Sequence, residues 1–278
     1  MSSWLSIRRA GPAPVDLHYR AWGQDGPLVV LLHELGGAAW SWSGIAPSVA
    51  AAGFRLVAFD QRGSGASEKT PGPYSIDLLA DDLAEVCHAF SPDAPVLFGG
   101  LAMGSVTGLR FAQRYPERVA GLFLVSPAVE IEEHARNYLL SRADRVEREG
   151  MRAVLEASFE NAFPPFCRAT EAAAGYRNQY LANCPATYAA SSRALAEFVG
   201  YERLETLTMP TLLISGVHDF IWPPEHGAAL KKLIPSARFV AVEAGHFPPL
   251  QAPKTIENLF REFLILNCIG GRGCPGRC

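Results

Sequence analysis

Val96-Leu97-Phe98-Gly99-Gly100-Leu101-Ala102-Met103-Gly104-Ser105 is the stretch whose reading decides the fold. An apolar run ends in glycines, turns, and continues with helical spacing through Thr107, Leu109, Arg110, Phe111 and Arg114. This predicts a buried strand, a sharp turn and a helix, the layout of a nucleophile elbow. Gly100 and Gly104 leave room for the turn, and the residue lifted clear of the sheet is Ala102. Alanine carries no nucleophile. The question the sequence poses is what Ala102 stands in for.

Outward from the elbow, strand-like and helix-like runs alternate. Val15–Trp22 alternates apolar and polar residues and predicts an edge strand, while Leu28–Leu32 is continuously apolar, as in a strand buried on both faces. A helix from about Trp42 to Ala52, a strand Phe54–Phe59, and a helix capped by Ser75 lead into the elbow. Gly121–Val125 reads as the next strand. The rhythm then stops: from about 129 to 205 no strand-like run occurs, and helical stretches such as 135–149 and 151–159 replace it. About seventy-five such residues between two strands exceed a normal connection and predict an inserted helical cap. The pattern resumes with strand Thr211–Ser215, helix Glu225–Leu233, strand Arg238–Val242 and helix Pro253–Leu266. The expected class is α/β, a mostly parallel central sheet flanked by helices. The core is expected at 1–128 and 206–267, the helical cap at 129–205, and a disordered Cys/Gly-rich tail at 268–278.

Composition narrows the function. The 278 residues are 49% hydrophobic and 19% charged with a net charge of −3, and no basic run suggests nucleic acid. No apolar segment approaches the ~20 residues that span a bilayer, and the N-terminus has no signal-peptide pattern, so the expected setting is cytoplasmic. Cys87, Cys167 and Cys184 are scattered singly as small hydrophobes. Cys268, Cys274 and Cys278 lack a C-x-x-C pair or a nearby His, so no metal site is expected.

Three positions fall just past the carboxyl ends of expected strands: Ala102, Asp219 in Gly216-Val217-His218-Asp219, and His246 in Gly245-His246-Phe247-Pro248. A histidine can take a nucleophile's proton, and a carboxylate can orient the imidazole and stabilise its cation. Glu130 is an alternative acid, with Asp219 preferred. Ser105, one turn beyond Ala102, offers a replacement hydroxyl or packs the elbow helix against a strand. His33 and His218 read as neighbours of the site, and His88, His134 and His226 as helix-surface residues. Trp40, Trp42 and Trp222 line a pocket or pack in the core.

With His33-Glu34-Leu35-Gly36-Gly37 and Asp60-Gln61-Arg62-Gly63-Ser64-Gly65-Ala66-Ser67, these motifs make an ordered set of five. Over residues 15 to 266 the chain resembles the α/β-hydrolases of the cap-bearing esterase, lactonase and C–C hydrolase type. The order nucleophile, acid, histidine is that family's. The resemblance implies an oxyanion hole from the N–H groups of Leu35 and Met103. It also implies a small ester or lactone substrate, apolar or aromatic, under an aromatic cap, with no cofactor.

Two residues depart from the family's pattern. Glu34 stands where the loop normally has glycine, as a specificity residue for an amine or hydroxyl or as a solvated side chain. Ala102 stands where a nucleophile belongs, and Leu101 and Met103 match serine elbows better than aspartate ones. The alanine is read as a deliberate replacement of serine that disarms the hydrolase. The competing reading is a natural non-hydrolytic member, either a ligand receptor or a cofactor-free lyase or cyclase working through His246. A protein-interaction module has only the cysteine-rich tail behind it.

Overall fold

Leu28–Leu32, apolar throughout, is a strand buried along its whole length in the computed structural model, which describes residues 2–7 and 14–267. The described strands are β1 (Ser2–Ile7), β2 (Val15–Trp22), β3 (Leu28–Leu32), β4 (Arg55–Phe59), β5 (Val96–Leu101), β6 (Val119–Val125), β7 (Thr211–Gly216) and β8 (Ala237–Val242). They form one sheet in the order β1-β2-β4-β3-β5-β6-β7-β8. All neighbours from β4 to β8 are parallel, whereas β1 and β2 are antiparallel additions.

Parallel neighbours need crossovers. Helix α1 (Ala46–Ala51) links β3 to β4, α2 (Ile76–Phe90) links β4 to β5, and α3 (Met103–Arg114) links β5 to β6. Between β6 and β7 lie α4 (Glu133–Glu149), α5 (Arg152–Ala162), α6 (Glu171–Leu181) and α7 (Pro185–Ala196). Helix α8 (Pro224–Leu233) joins β7 to β8, and α9 (Pro248–Gln251) and α10 (Pro253–Leu266) follow. Ser75 caps α2 as the sequence predicts, its hydroxyl accepting from the Leu78 N–H at 3.1 Å.

Alternate residues of each central strand serve opposite faces. Val29 and Leu31 join a core with Val49 of α1 and Phe260 of α10, whereas Val30 and Leu32 join one with Leu83 of α2, Leu109 of α3 and Leu230 of α8. Burial of both faces explains why β3 shows no alternation.

Two expectations are corrected. Val15–Trp22 is not the edge strand: β1 pairs along it from Ser2↔Arg20 to Ile7↔Val15. One-sided exposure produced the alternation; an unpaired edge did not. The helix expected over Trp42–Ala52 is a 3₁₀ turn at Ala39–Trp42 followed by the short α1, with Gly44 between them and Pro47 in the first turn of α1. The expected tail at 268–278 lies outside the described residues.

Candidate active site

At the elbow, Ala102 has φ 50° and ψ −112°, backbone that L-residues rarely adopt and that costs about 1–3 kcal/mol. The turn is pinned by the Ala102 N–H, which donates to the Val125 carbonyl at 2.9 Å. Gly104 is demanded by proximity, since a Cβ there would sit 2.4 Å from the Leu32 carbonyl oxygen. Met103 opens α3, so its N–H belongs to the first turn, which has no intrahelical partner. Ser105 is no replacement nucleophile: its hydroxyl lies 2.8 Å from both the Gly100 and Val125 carbonyls, turned into the sheet.

Past β7, Asp219 Oδ1 accepts the N–H groups of Ile221 and Trp222 at 2.9 Å each, while Oδ2 accepts from His246 Nδ1 at 2.8 Å. Both side chains are buried, Asp219 at 3% and His246 at 5% exposure. Glu130 is exposed and makes no such contact. With Nδ1 committed to Asp219, Nε2 is the nitrogen left to serve as a base.

The His246 loop is held by residues the sequence did not single out. The Gln251 side chain accepts from Gly245 N–H at 2.7 Å and donates to the Ala162 carbonyl at 2.8 Å. The His246 N–H donates to the same carbonyl, and the Ser126 hydroxyl donates to the His246 carbonyl at 2.9 Å. Ser126 has φ 46° directly after β6, a constraint invisible in one sequence.

On the other wall, His33 is buried and structural. Its Nδ1 donates to the Glu34 carbonyl at 2.7 Å and its Nε2 accepts the Gln61 N–H at 3.0 Å, fixing one neutral tautomer. Burial lowers its pKa, with Asp60 and the Glu34 carbonyl opposing. Glu34 is not a solvated side chain, the second of its two readings; it is 1% exposed. Gly37 makes room for it, because a Cβ there would lie 2.4 Å from the carboxyl carbon. Ser41 donates to Oε1 at 3.0 Å, and Oε2 has no partner. Burial pushes Glu34 up to about 7, against the pull of its own backbone, Ser41 and His246.

Ala102, Met103, Leu35, Glu34, Trp222 and His246 line one cavity of about 80 Å³, room for roughly five water-sized groups. Ala135, Tyr138, Leu139 and Arg142 of α4, Ser158 and Asn161 of α5 and Tyr176 and Tyr180 of α6 are among the residues that also line it. A larger hollow of about 560 Å³, beside Tyr19, Trp22 and Phe90, holds none of these residues and is open to solvent. Trp222 meets the His246 ring edge-on at 5.4 Å between centroids. Trp40 does not line this cavity; it borders a surface hollow with His18 and Gln179, and Trp42 is core. His218 faces Glu243 and Phe166, and His226 is half-buried against the Val129 N–H, not a surface residue.

The family model of the alpha/beta hydrolase fold matches residues 27–253. The chain belongs to the α/β-hydrolase family. Within it, 3-oxoadipate enol-lactonase 2 of Acinetobacter baylyi is 28% identical over 248 residues, covering 88% of this chain and 91% of its own length. RutD of Variovorax paradoxus, whose carbamate-hydrolase name is itself provisional, is 32% identical over 215 residues, 75% of this chain and 80% of its own. A thermophilic esterase from Thermogutta terrifontis, solved with malate bound, superposes with a TM-score of 0.89 at 29% identity, over 96% of this α/β-hydrolase and 99% of that chain.

Proposed function

We propose that this α/β-hydrolase is an ester or lactone hydrolase scaffold whose nucleophile is serine in the active form and alanine here. The carrying observation is the Asp219–His246 pair in one cavity with an Ala102 still held in elbow backbone. In the serine form, His246 takes the hydroxyl proton as it attacks the acyl carbon, and Asp219 stabilises the imidazolium. The N–H groups of Leu35 and Met103 receive the oxyanion, each such donor being worth about 3–4 kcal/mol. His246 then protonates the leaving oxygen, and water releases the acyl group by the same route in reverse. These steps draw on no metal or organic cofactor. Helices α4–α7 act as the cap, leaving a small, largely apolar and aromatic chamber for the substrate. As it stands, the Ala102 chain binds substrate and forms no acyl-enzyme.

The test pairs this chain with its Ala102→Ser variant on small aryl esters, lactones and carbamates. The serine variant is expected to turn over esters or lactones at least about 10⁴-fold faster, with a burst of product. Silence from both proteins on esters and lactones overturns the reading, and turnover of carbamates alone redirects it.

A second reading is favoured by Glu34. A carboxyl that titrates near 7, with one oxygen free, beside a histidine base can exchange protons with a substrate without any nucleophile. That is the equipment of a lyase or cyclase. It predicts that the Ala102 chain exchanges α-protons of a cyclic β-keto ester into deuterated solvent, followed by NMR, and that Glu34→Gln abolishes the exchange.

A further inference from the structure

The cavity contains a cation that neither reading uses. Ala135, Tyr138, Leu139 and Arg142 fall on one face of α4, three and four residues apart, and that face lines the chamber. Arg142 Nε is buried without a hydrogen-bond partner, and among the described residues no carboxylate lies within ion-pair distance of its guanidinium.

Glu34 lines the same cavity but forms no ion pair with Arg142, and the paired carboxylates of α4 and α5 are engaged by other arginines. Asp144 and Glu147 pair with Arg193, Glu149 with Arg145, and Glu156 with Arg177. Against Arg142 the structure sets aromatic rings instead, with Tyr138 at 5.1 Å and Tyr188 at 5.7 Å from the guanidinium carbon to the ring centroids. Such contacts stabilise the charge but take up none of its five N–H donors. Tyr188 is itself fixed by a hydroxyl chain, 2.7 Å to Tyr180 and from there 2.9 Å to Ser158. The guanidinium is therefore held in place by its rings, with its Nε–H still lacking a partner. An arginine cannot discharge itself by losing a proton, so a planar anion is the natural complement.

We propose that Arg142 is a specificity residue that receives a carboxylate of the substrate, so that the substrate is an acidic ester or lactone carrying a free carboxylate besides the bond to be cleaved. This rests on the proposed hydrolase reading only in taking the chamber as the substrate site.

The binding test uses the Ala102 protein, which needs no turnover. At pH 6, where Glu34 is largely neutral, phenylacetate and its uncharged counterpart phenylacetamide are titrated by calorimetry. Phenylacetate is expected to bind at least about tenfold tighter, and Arg142→Met to remove that preference while phenylacetamide binding stays within about twofold. Arg142→Lys is expected to keep part of it. Circular dichroism confirms that each variant is folded. Equal binding of the two probes, or a preference that survives Arg142→Met and so originates at His246, overturns the proposal. In the Ala102→Ser background, Arg142→Met is expected to raise KM about tenfold for monoethyl glutarate and leave that for ethyl valerate unchanged. A loss of kcat alike for both esters would assign Arg142 a structural role and also overturn the proposal. Because the calorimetry reads binding alone, an inactive Ala102→Ser enzyme sinks the hydrolase reading without touching this result.

Discussion

Two aspartate–histidine pairs in this molecule have hydrogen bonds of the same length. His246 Nδ1 meets Asp219 Oδ2 at 2.8 Å, and His18 Nδ1 meets Asp60 Oδ2 at 2.8 Å. Each aspartate follows a strand, is buried, and takes two backbone N–H groups: Ile221 and Trp222 for Asp219, Ala39 and Ala66 for Asp60. The difference lies at the second ring nitrogen. His18 Nε2 is taken by the Ser2 hydroxyl, so the pair ties β1 and β2 to the loop after β4. The His246 ring lines the chamber beside Ala102, and no described side chain takes its Nε2. Pair geometry alone thus does not mark a reacting site. On the proposed function, what the uncommitted nitrogen faces does.

The comparison is broken or upheld most sharply in the Ala102→Ser background. Asp219→Asn is expected to lower kcat about 10⁴-fold, because the amide holds the imidazole in the wrong tautomer. Asp60→Asn is expected to leave kcat within about threefold. Its cost falls on stability, about 2 kcal/mol, since an amide cannot accept all three of the bonds the carboxylate accepts. Thermal melts and steady-state kinetics on the two variants check this. A comparable loss of rate in both would erase the distinction between the pairs.

Glu34 sharpens the same comparison from another side. Asp60 is buried with its oxygens occupied, whereas Glu34 is buried with Ser41 as its side-chain partner and one oxygen bare. Burial raises Glu34 from about 4.5 in the unfolded chain to about 7 in the folded one. The folded state therefore favours the protonated form. Its stabilising contribution is complete below about pH 4.5, declines as pH rises, and is gone above about pH 7, by a total on the order of 3 kcal/mol. Glu34→Gln keeps the shape without the charge. It is expected to be more stable than the parent at pH 8 by up to that amount, and equal to it near pH 4.5. Urea denaturation at the two pH values reads the difference, and a parallel shift at both would mean that Glu34 does not titrate in this window.

Much of this was legible in the sequence, for identifiable reasons. The parallel strands announce themselves because they are buried on both faces, and the elbow because its glycines are forced by backbone contact, as at Gly104 against Leu32. Asp219 and His246 follow from strand ends, which topology gathers on one edge. Arg142 did not emerge, although it lies three residues after the buried Leu139 on the same helix face. Helix α4 carries Arg136, Arg145 and Arg148 as well, and nothing local separates a chamber-facing arginine from solvated ones. Gln251 and Ser126 escaped because their roles consist of contacts with Ala162 and the His246 carbonyl, 89 and 120 residues away in the chain. Strand β1 was missed because its pairing with β2 is what organises it: the burial of Ser2–Ile7 alternates only weakly until Ile7.

The smallest effect bears on why position 102 is alanine. A serine at an elbow is strained because the backbone must present its hydroxyl to the base; an alanine keeps the strain, φ 50° and ψ −112°, and presents nothing. Glycine tolerates that backbone, relieving about 1–3 kcal/mol, and gives back roughly 0.5–1 kcal/mol through the extra freedom of the unfolded chain. Ala102→Gly is therefore expected to stabilise the protein by about 1 kcal/mol, which for a chain of this size raises Tm by about 2–4 °C. The comparison partner is Ser126, whose φ of 46° is also positive but whose hydroxyl holds the His246 carbonyl. There, Ser126→Gly removes a bond as it relieves strain, so its net change is expected to fall below that of Ala102→Gly. If Ala102→Gly lowers Tm instead, the elbow is held by packing around the alanine methyl, and the backbone at 102 serves the fold independently of any nucleophile.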